Sequence, residues 1–362
     1  MSKTNLKLVE LSAINTRVRF EQWASNPECG ANTVSAVLNV PMGTVAEKLG
    51  YQGNKGMSPF AIQRGNLFER DLFYNSAERL RSGLEMAQVL TANTKGFKDF
   101  RLPVHGGSEI KTRDEAVRES ELFLKKLAAG NLTDVPSITT GLTLKLAKGV
   151  MLPEATLILD VMTIHPGEHS IWILRVGEIK IFPDRGGHTD PQHLASARAQ
   201  AGVYKHALEE WIAIQKLDDV LSVSNKGFLV FTWPGSNWPV IRGNEDLFEQ
   251  AQRAKRGFTQ LDFVAQRVVG QEIEDFKPEA YSDWVARSET SYKEACWTFC
   301  DLAPRCQDNA IAKNKGIVLG NETARLLGLV TTTRALALLS GQKPETAFEE
   351  TLVMQLQAAN WG

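Results

Sequence analysis

The chain has 362 residues, of which 43% are hydrophobic and 23% charged, with 41 Lys and Arg against 42 Asp and Glu. Those proportions are typical of a folded protein and exclude a largely disordered one. The net charge of −1 excludes a global basic field that would attract a polyanion, so any nucleic-acid binding must come from local patches. The length allows two average domains, or one catalytic domain enlarged by insertions.

The opening segment, MSKTNLKLVE, has no apolar stretch of signal-peptide type, and no run of about 18 apolar residues follows. The expectation is a cytoplasmic protein with no membrane association. Apolar positions at helical spacing predict helices over residues 31 to 49 and 58 to 82, with Pro59 fitting the first turn of the second. The glycine-rich stretch 50 to 57 between them matches neither a P-loop nor a dinucleotide fingerprint and reads as a loop. A further helix is expected over 115 to 129, so residues 1 to 140 read as an N-terminal helical region.

Strands are expected from about residue 142. The runs 155 to 164 and 170 to 182 are rich in Ile, Leu and Val, and the stretch His165-Pro-Gly-Glu-His169 separates them as a hairpin turn would. After a polar loop at 183 to 192, residues 193 to 215 read as one long helix and 220 to 233 as a strand or hairpin. Helical patterning returns over 244 to 299 and 318 to 358, with no repeat at solenoid periods. The fold class expected is α/β: a core at 141 to 235 with a mixed central sheet, flanked by an N-terminal helical region and a C-terminal one at 236 to 362.

Asp160 closes the first central strand, and Glu178-Ile179-Lys180 lies in the second. Because side chains alternate along a strand, Glu178 and Lys180 share one face and Ile179 points to the other. Two carboxylates held close together repel, and a divalent cation between them relieves the cost of ionising both. Oxygen ligands suit Mg²⁺ or Mn²⁺, and a neighbouring lysine can position a water or neutralise a phosphate, the requirements of phosphodiester hydrolysis. Glu-x-Lys alone is common and reads as an exposed cross-strand pair. Two features add weight: the upstream Asp160, and Gln200 and Tyr204, four residues apart on one face of the following helix.

In this order and spacing, Asp160, Glu178-Ile179-Lys180 and Gln200-Ala-Gly-Val-Tyr204 resemble the RecB-type branch of the PD-(D/E)xK nucleases. The resemblance implies a restriction-endonuclease-like core in which Asp160 and Glu178 bind metal, Lys180 is the catalytic lysine, and the Ile179 carbonyl adds to the metal shell. That family also carries an earlier helical motif, Gly followed four residues later by a metal-binding His. Here Gly65 and Glu69 have the spacing, with Glu69 in place of His as a candidate hard-cation ligand. The implied activity is Mg²⁺- or Mn²⁺-dependent hydrolysis of DNA, as an exonuclease on single strands, in DNA repair or antiphage and CRISPR-linked defence. A helicase or defence-complex protein is the implied partner. The reading from another class is a non-catalytic nucleic-acid-binding or scaffold subunit.

The four cysteines are unevenly spread: Cys29 stands alone, while Cys296, Cys300 and Cys306 cluster. In a reducing compartment such spacing points to a metal centre rather than disulfides, and four thiolates suit either zinc or an iron–sulfur cluster. AddB nuclease domains and CRISPR-associated RecB-like exonucleases have one cysteine before the nuclease core and three after it, holding a [4Fe–4S] cluster. Cys29, Cys296, Cys300 and Cys306 reproduce that split, except that three residues rather than the usual two separate the first pair of the trio, which keeps zinc as the alternative. The implied role is structural.

Other candidates carry less. His188 and His193 flank Asp190 without matching a zinc motif. Trp233 and Trp238 bracket a turn, where core packing is a stronger expectation than base stacking. Arg64, Arg70, Lys205 and the cluster Arg253, Lys255 and Arg256 are phosphate-contact candidates. The helical stretches 244 to 290 and 318 to 358 are candidates for serving a partner or a substrate channel.

Overall fold

The computed structural model describes residues 16–52, 59–91, 94–103, 106–107, 109–145, 156–269, 278–293 and 296–359. The segment MSKTNLKLVE and most of the glycine-rich stretch 50 to 57 lie outside the described residues. The chain divides into two compact units, Met1–Lys55 with Gln266–Gly362, and Gly56–Ala265. Among the described residues no helix is long and apolar enough to cross a membrane.

The unit formed by Gly56–Ala265 is α/β, built on a mixed seven-stranded sheet flanked by helices. Its strands are β1 (Phe97–Asp99), β2 (Ile138–Lys145), β3 (Thr156–Pro166), β4 (Trp172–Pro183), β5 (Leu221–Val223), β6 (Lys226–Thr232) and β7 (Pro239–Asp246). The order is β1-β2-β3-β4-β6-β7, with β5 also on β4. β2, β3 and β4 are antiparallel neighbours, as the sequence leads one to expect for β3 and β4, whereas β6 joins β4 in parallel. The stretch 220 to 233 is therefore no hairpin: β5 and β6 both run parallel to β4. Two strands fall in regions read as helical. β1 has only three residues, too few for any periodicity, and β7 carries Arg242, Asn244, Glu245 and Asp246, which mask its pattern.

One face of the sheet is covered by the helix Pro59–Met86. Its buried Phe68, Leu72, Leu80 and Leu84 meet Val161, Ile179, Phe228 and Val230. That helix is broken at Tyr74–Ala77, where Asn75, Ser76 and Ala77 take positive φ; Asn tolerates this region, but it interrupts the helix expected over 58 to 82. The other face is covered by the helices Arg113–Ala128 and Pro191–Gln215, whose Phe123, Leu124, Tyr204 and Leu208 share a core with Leu174, Val176 and Leu229. Burial of each such side chain contributes about 1.5–3 kcal/mol. The start of the Pro191–Gln215 helix is fixed by Asp190, whose side chain accepts from the Gln192 and His193 N–H groups, and by Pro191 in its first turn.

The other unit is helical. Thr16–Ser25, Gly30–Leu38 and Met42–Lys48 come from the N-terminal part; Pro278–Arg287, Cys296–Phe299, Ala303–Lys313, Asn321–Leu327, Thr332–Leu339 and Ala347–Ala359 come from the C-terminal part. The helix expected over 31 to 49 is split because Asn39 adopts a left-handed conformation and Pro41 follows. Arg19 is buried and donates to the carbonyls of Ala36 and Val37, tying the first helix to the end of the second. A small satellite core of Leu327, Ala335, Leu338 and Leu352 holds the last three helices together.

Candidate active site

The candidate site forms where β3 and β4 part. Their antiparallel pairing runs from Pro166 with Trp172 to Val161 with Gly177. The next position in that register sets Asp160 against Glu178. Instead of a further ladder bond, the Ile179 N–H donates to Asp160 Oδ2 at 3.1 Å. The Tyr204 hydroxyl donates to Asp160 Oδ1 at 3.1 Å, and Thr140 Oγ1 donates to the Asp160 carbonyl at 2.6 Å. Asp160 thus stands within β3, not at its end.

Backbone shape reinforces the parting. Gly141 of β2 lies between the pairs Thr140–Val161 and Leu142–Leu159, opposite Asp160, and takes φ +68. Ile138 packs into one core while Leu142 and Leu144, of the same parity, pack into the other. The strand changes face at this glycine. A Cβ there would lie 2.7 Å from the Arg101 nitrogen, so glycine is required by both conformation and space. On β4, a register shift between Ile179 and Pro183 interrupts the pairing with β6 just after Ile179. Bulges of this kind re-aim side chains.

Glu178 is fully buried, and Lys180 Nζ lies 2.7 Å from its Oε1. Both point to the layer of the Pro191–Gln215 helix, with Ile179 in the opposite core, as strand alternation requires. A carboxylate taken out of water needs such a partner. Gly177, beside it, leaves room for the Phe228 ring, which a Cβ would meet at 2.3 Å. Gln200 is buried one turn before Tyr204, and its Oε1 has no hydrogen-bond partner among the described residues.

Asp160, Ile179 and Tyr204 are therefore joined directly, as are Glu178 and Lys180. Glu69 is half-buried on the helix covering the other face, next to the fully buried Phe68. Among the described residues no group of three or more His, Cys, Asp or Glu is placed to hold a metal ion, so Glu69, Asp160 and Glu178 do not form one. Lys180 neutralises Glu178 instead. Lys205, read as a phosphate contact, is only 2% exposed and is ion-paired with Glu209, so the structure removes it from that role. Arg64, Arg70, Arg253, Lys255 and Arg256 are exposed. Trp233 and Trp238 are also exposed, against the expectation that they pack on the core.

The sequence reading did not single out Asp184. It is fully buried and accepts from Gly187 N–H and Thr189 Oγ1, each at 2.6 Å, and from Arg242 Nη1 at 3.3 Å. Burial pushes its carboxyl up, but the hydrogen bonds from Thr189, Gly187 and Arg242 together hold it below the ordinary value. Asp184 fixes the loop that leaves β4. An Asp before Gly-Gly was its signal in the sequence.

The four cysteines converge in the helical unit. Cys29, Cys296, Cys300 and Cys306 line one cavity, and none is in a disulfide. Burial pushes the Cys300 thiol up to about 12, with Cys296, Cys29 and Cys306 adding to the rise. Cys306 is raised by burial too, against a hydrogen bond from Thr290, with Cys29 and Cys296 contributing. Asn26 Nδ2 lies 3.2 Å from Cys296 Sγ, and the Lys293 N–H points to the same sulfur at 3.4 Å. The set is a pocket of soft donors that costs much to ionise without a positive centre. In comparisons with known proteins, no family model matches this chain, and neither the curated proteins nor the solved structures provide a match.

Proposed function

We propose that this chain is a metal-dependent deoxyribonuclease with a RecB-type, restriction-endonuclease-like core, acting as an exonuclease on single-stranded DNA in repair or antiphage and CRISPR-linked defence, alongside a helicase or defence-complex partner. The observation that carries this reading is the parting of β3 and β4 at Asp160 and Glu178, with Lys180 on Glu178 and Tyr204 on Asp160. Hard oxygen donors converge there, and the buried Gln200 Oε1 adds an acceptor with nothing yet to bind. That donor set fits Mg²⁺ or Mn²⁺.

Asp160, Glu178 and the Ile179 carbonyl would hold the ion, with Glu69 the further ligand that the family resemblance implies. When bound, such an ion supplies Lewis acidity at the scissile phosphate and an activated water. Lys180, which lies on Glu178 in the absence of a cation, would offer Nζ to the attacking water or to the phosphate oxygens. Tyr204 holds the Asp160 carboxylate in orientation, and Gln200 Oε1 would accept a hydrogen bond from the water and orient it. Each of these is a positioning or charge-stabilising act.

The cysteine set fits an iron–sulfur cluster, held by Cys29, Cys296, Cys300 and Cys306. Four thiols line one cavity, and such a soft donor set suits an iron–sulfur cluster, with zinc as the alternative. Its role is to brace the helical unit. The ion pair of Lys180 with the buried Glu178 supports a second reading, a non-catalytic nucleic-acid-binding or scaffold subunit in which Lys180 permanently neutralises Glu178.

One experiment separates the two. Protein purified without oxygen is incubated with single-stranded DNA and Mg²⁺ or Mn²⁺, beside Lys180→Ala with its folding checked by circular dichroism. Cutting by the wild type alone is expected. A folded wild type that cuts neither single- nor double-stranded DNA would reject the enzyme and leave the scaffold.

A further inference from the structure

We propose that the end of the sheet beyond Lys180 is a track for an unpaired DNA strand, in which Trp233 and Trp238 stack on bases while Arg185, His188 and His193 meet phosphates. The substrate class rests on the nuclease reading above; the track itself rests on the following geometry.

Trp233 and Trp238 flank the tight turn between β6 and β7, closed by the Trp233 N–H to the Trp238 carbonyl at 2.8 Å. They are 52% and 63% exposed, so both indoles present apolar surface to water at the two ends of one turn. Arg79 lies over the Trp238 ring, with Cζ 4.8 Å from its centroid. Aromatic faces beside a guanidinium suit a base and its phosphate, and a base offers its face only when it is unpaired.

The turn is close to the candidate site along the sheet. Glu178 pairs with Leu229, and Thr232 follows three residues later, about 10 Å on at the rise of a strand. Thr232 pairs with Pro183 and accepts the Asp184 N–H at 3.0 Å, so Trp233 begins where β4 ends. Here an open cavity is lined by Pro183, Arg185, His188 and His193. The His193 ring stacks on Phe182 with centroids 4.0 Å apart, which fixes it at the cavity wall. Asp190 also lines the cavity, but its Oδ1 is engaged by the Gln192 and His193 N–H groups. Asp184 is buried beneath and accepts from Arg242. Aromatic platforms interleaved with basic side chains are how single strands are gripped without reading sequence.

The test uses the full chain without added divalent cation, so that binding is read without cutting. Fluorescence anisotropy compares a labelled oligo-dT strand with the same strand in a duplex. Wild type is expected to prefer the single strand, and Trp233→Ala and Trp238→Ala each to weaken it on the order of tenfold. Trp238→Phe, which keeps a ring, is expected to retain most of the affinity, and Arg185→Ala to flatten the salt dependence. Folded alanine variants that bind the single strand as tightly as wild type would overturn the track and leave the tryptophans to a protein partner. Cutting in Mg²⁺, measured in parallel, tests the other reading separately. Tryptophan-dependent binding without cutting keeps the track and rejects the nuclease; cutting with unchanged binding does the reverse.

Discussion

Glu178 has no exposed surface, and its ion pair with Lys180 offsets the cost of holding its charge away from water. Removing one partner of a buried pair leaves the other uncompensated, so Lys180→Ala is expected to lower stability by about 3–5 kcal/mol in urea melts. Added Mn²⁺ should recover more of that loss in the variant than it adds to wild type, since the cation would replace the lost ammonium. An unchanged urea midpoint in Lys180→Ala would mean that Glu178 does not depend on this lysine. Tyr204→Phe removes only the hydroxyl that bonds Asp160; it should cost about 1 kcal/mol and slow cutting while leaving the fold intact. His206 gives a pH signature. Burial, and then the charges of Lys255 and Lys205, depress it from its ordinary 6.5 to about 4. The folded state binds fewer protons than the unfolded one within that window, so stability is fully present above 6.5 and falls as pH drops toward 4. His206→Phe, which can keep the stacking on Phe258, should flatten that part of a stability–pH profile.

Close approach between elements sets the second scale. Gly202 lets the helix Pro191–Gln215 lie directly on the helix Phe248–Val269, because a Cβ there would come within 2.4 Å of Gln250 Cβ. Gly202→Ala is expected to destabilise by about 1–3 kcal/mol and to displace Gln200 and Tyr204 together, so a thermal melt and a cutting assay should fall in parallel. At the C-terminal helices, Arg334 pairs with Glu349 through Nε and Nη2 at 2.9 and 2.8 Å. The pairing with Arg334 and the Glu345 N–H hold the Glu349 carboxyl down at about 2. Its support of those helices therefore persists above the ordinary carboxylate range and disappears only as pH falls toward 2. These elements also mark how far the sequence could be read. β3, β4 and the following helix were legible because long patterned runs announce them, and they carry Asp160, Glu178, Lys180, Gln200 and Tyr204, although the Asp190 cap and Pro191 were read as loop. β1 and β7 were not, being short or charged edge strands whose identity comes from their neighbours. Nor could spacing show that Lys205 turns inward to Glu209, or that Gly141 turns β2 at the level of Asp160.

For the whole molecule, the clustering of Cys296, Cys300 and Cys306 was visible in the sequence, while their meeting with Cys29 in one cavity is a property of the folded chain. Under the proposed ligation, Cys306→Ser should reduce bound iron and sulfide, and hydrogen exchange should quicken in the helices Gly30–Leu38 and Ala303–Lys313, which carry the cavity walls. Unchanged exchange in a variant without iron would reject a bracing role. The helical unit is discontinuous, its first part made before the sheet and its second part after it. That order sets a timetable at the ribosome. At roughly 5–20 residues per second, Cys296 emerges some tens of seconds after Cys29. The sheet can close within that interval, whereas Cys29 waits as a solitary thiol. Under the proposed ligation, insertion of iron would then be the last act of biogenesis, because a chain terminated early would carry a single ligand.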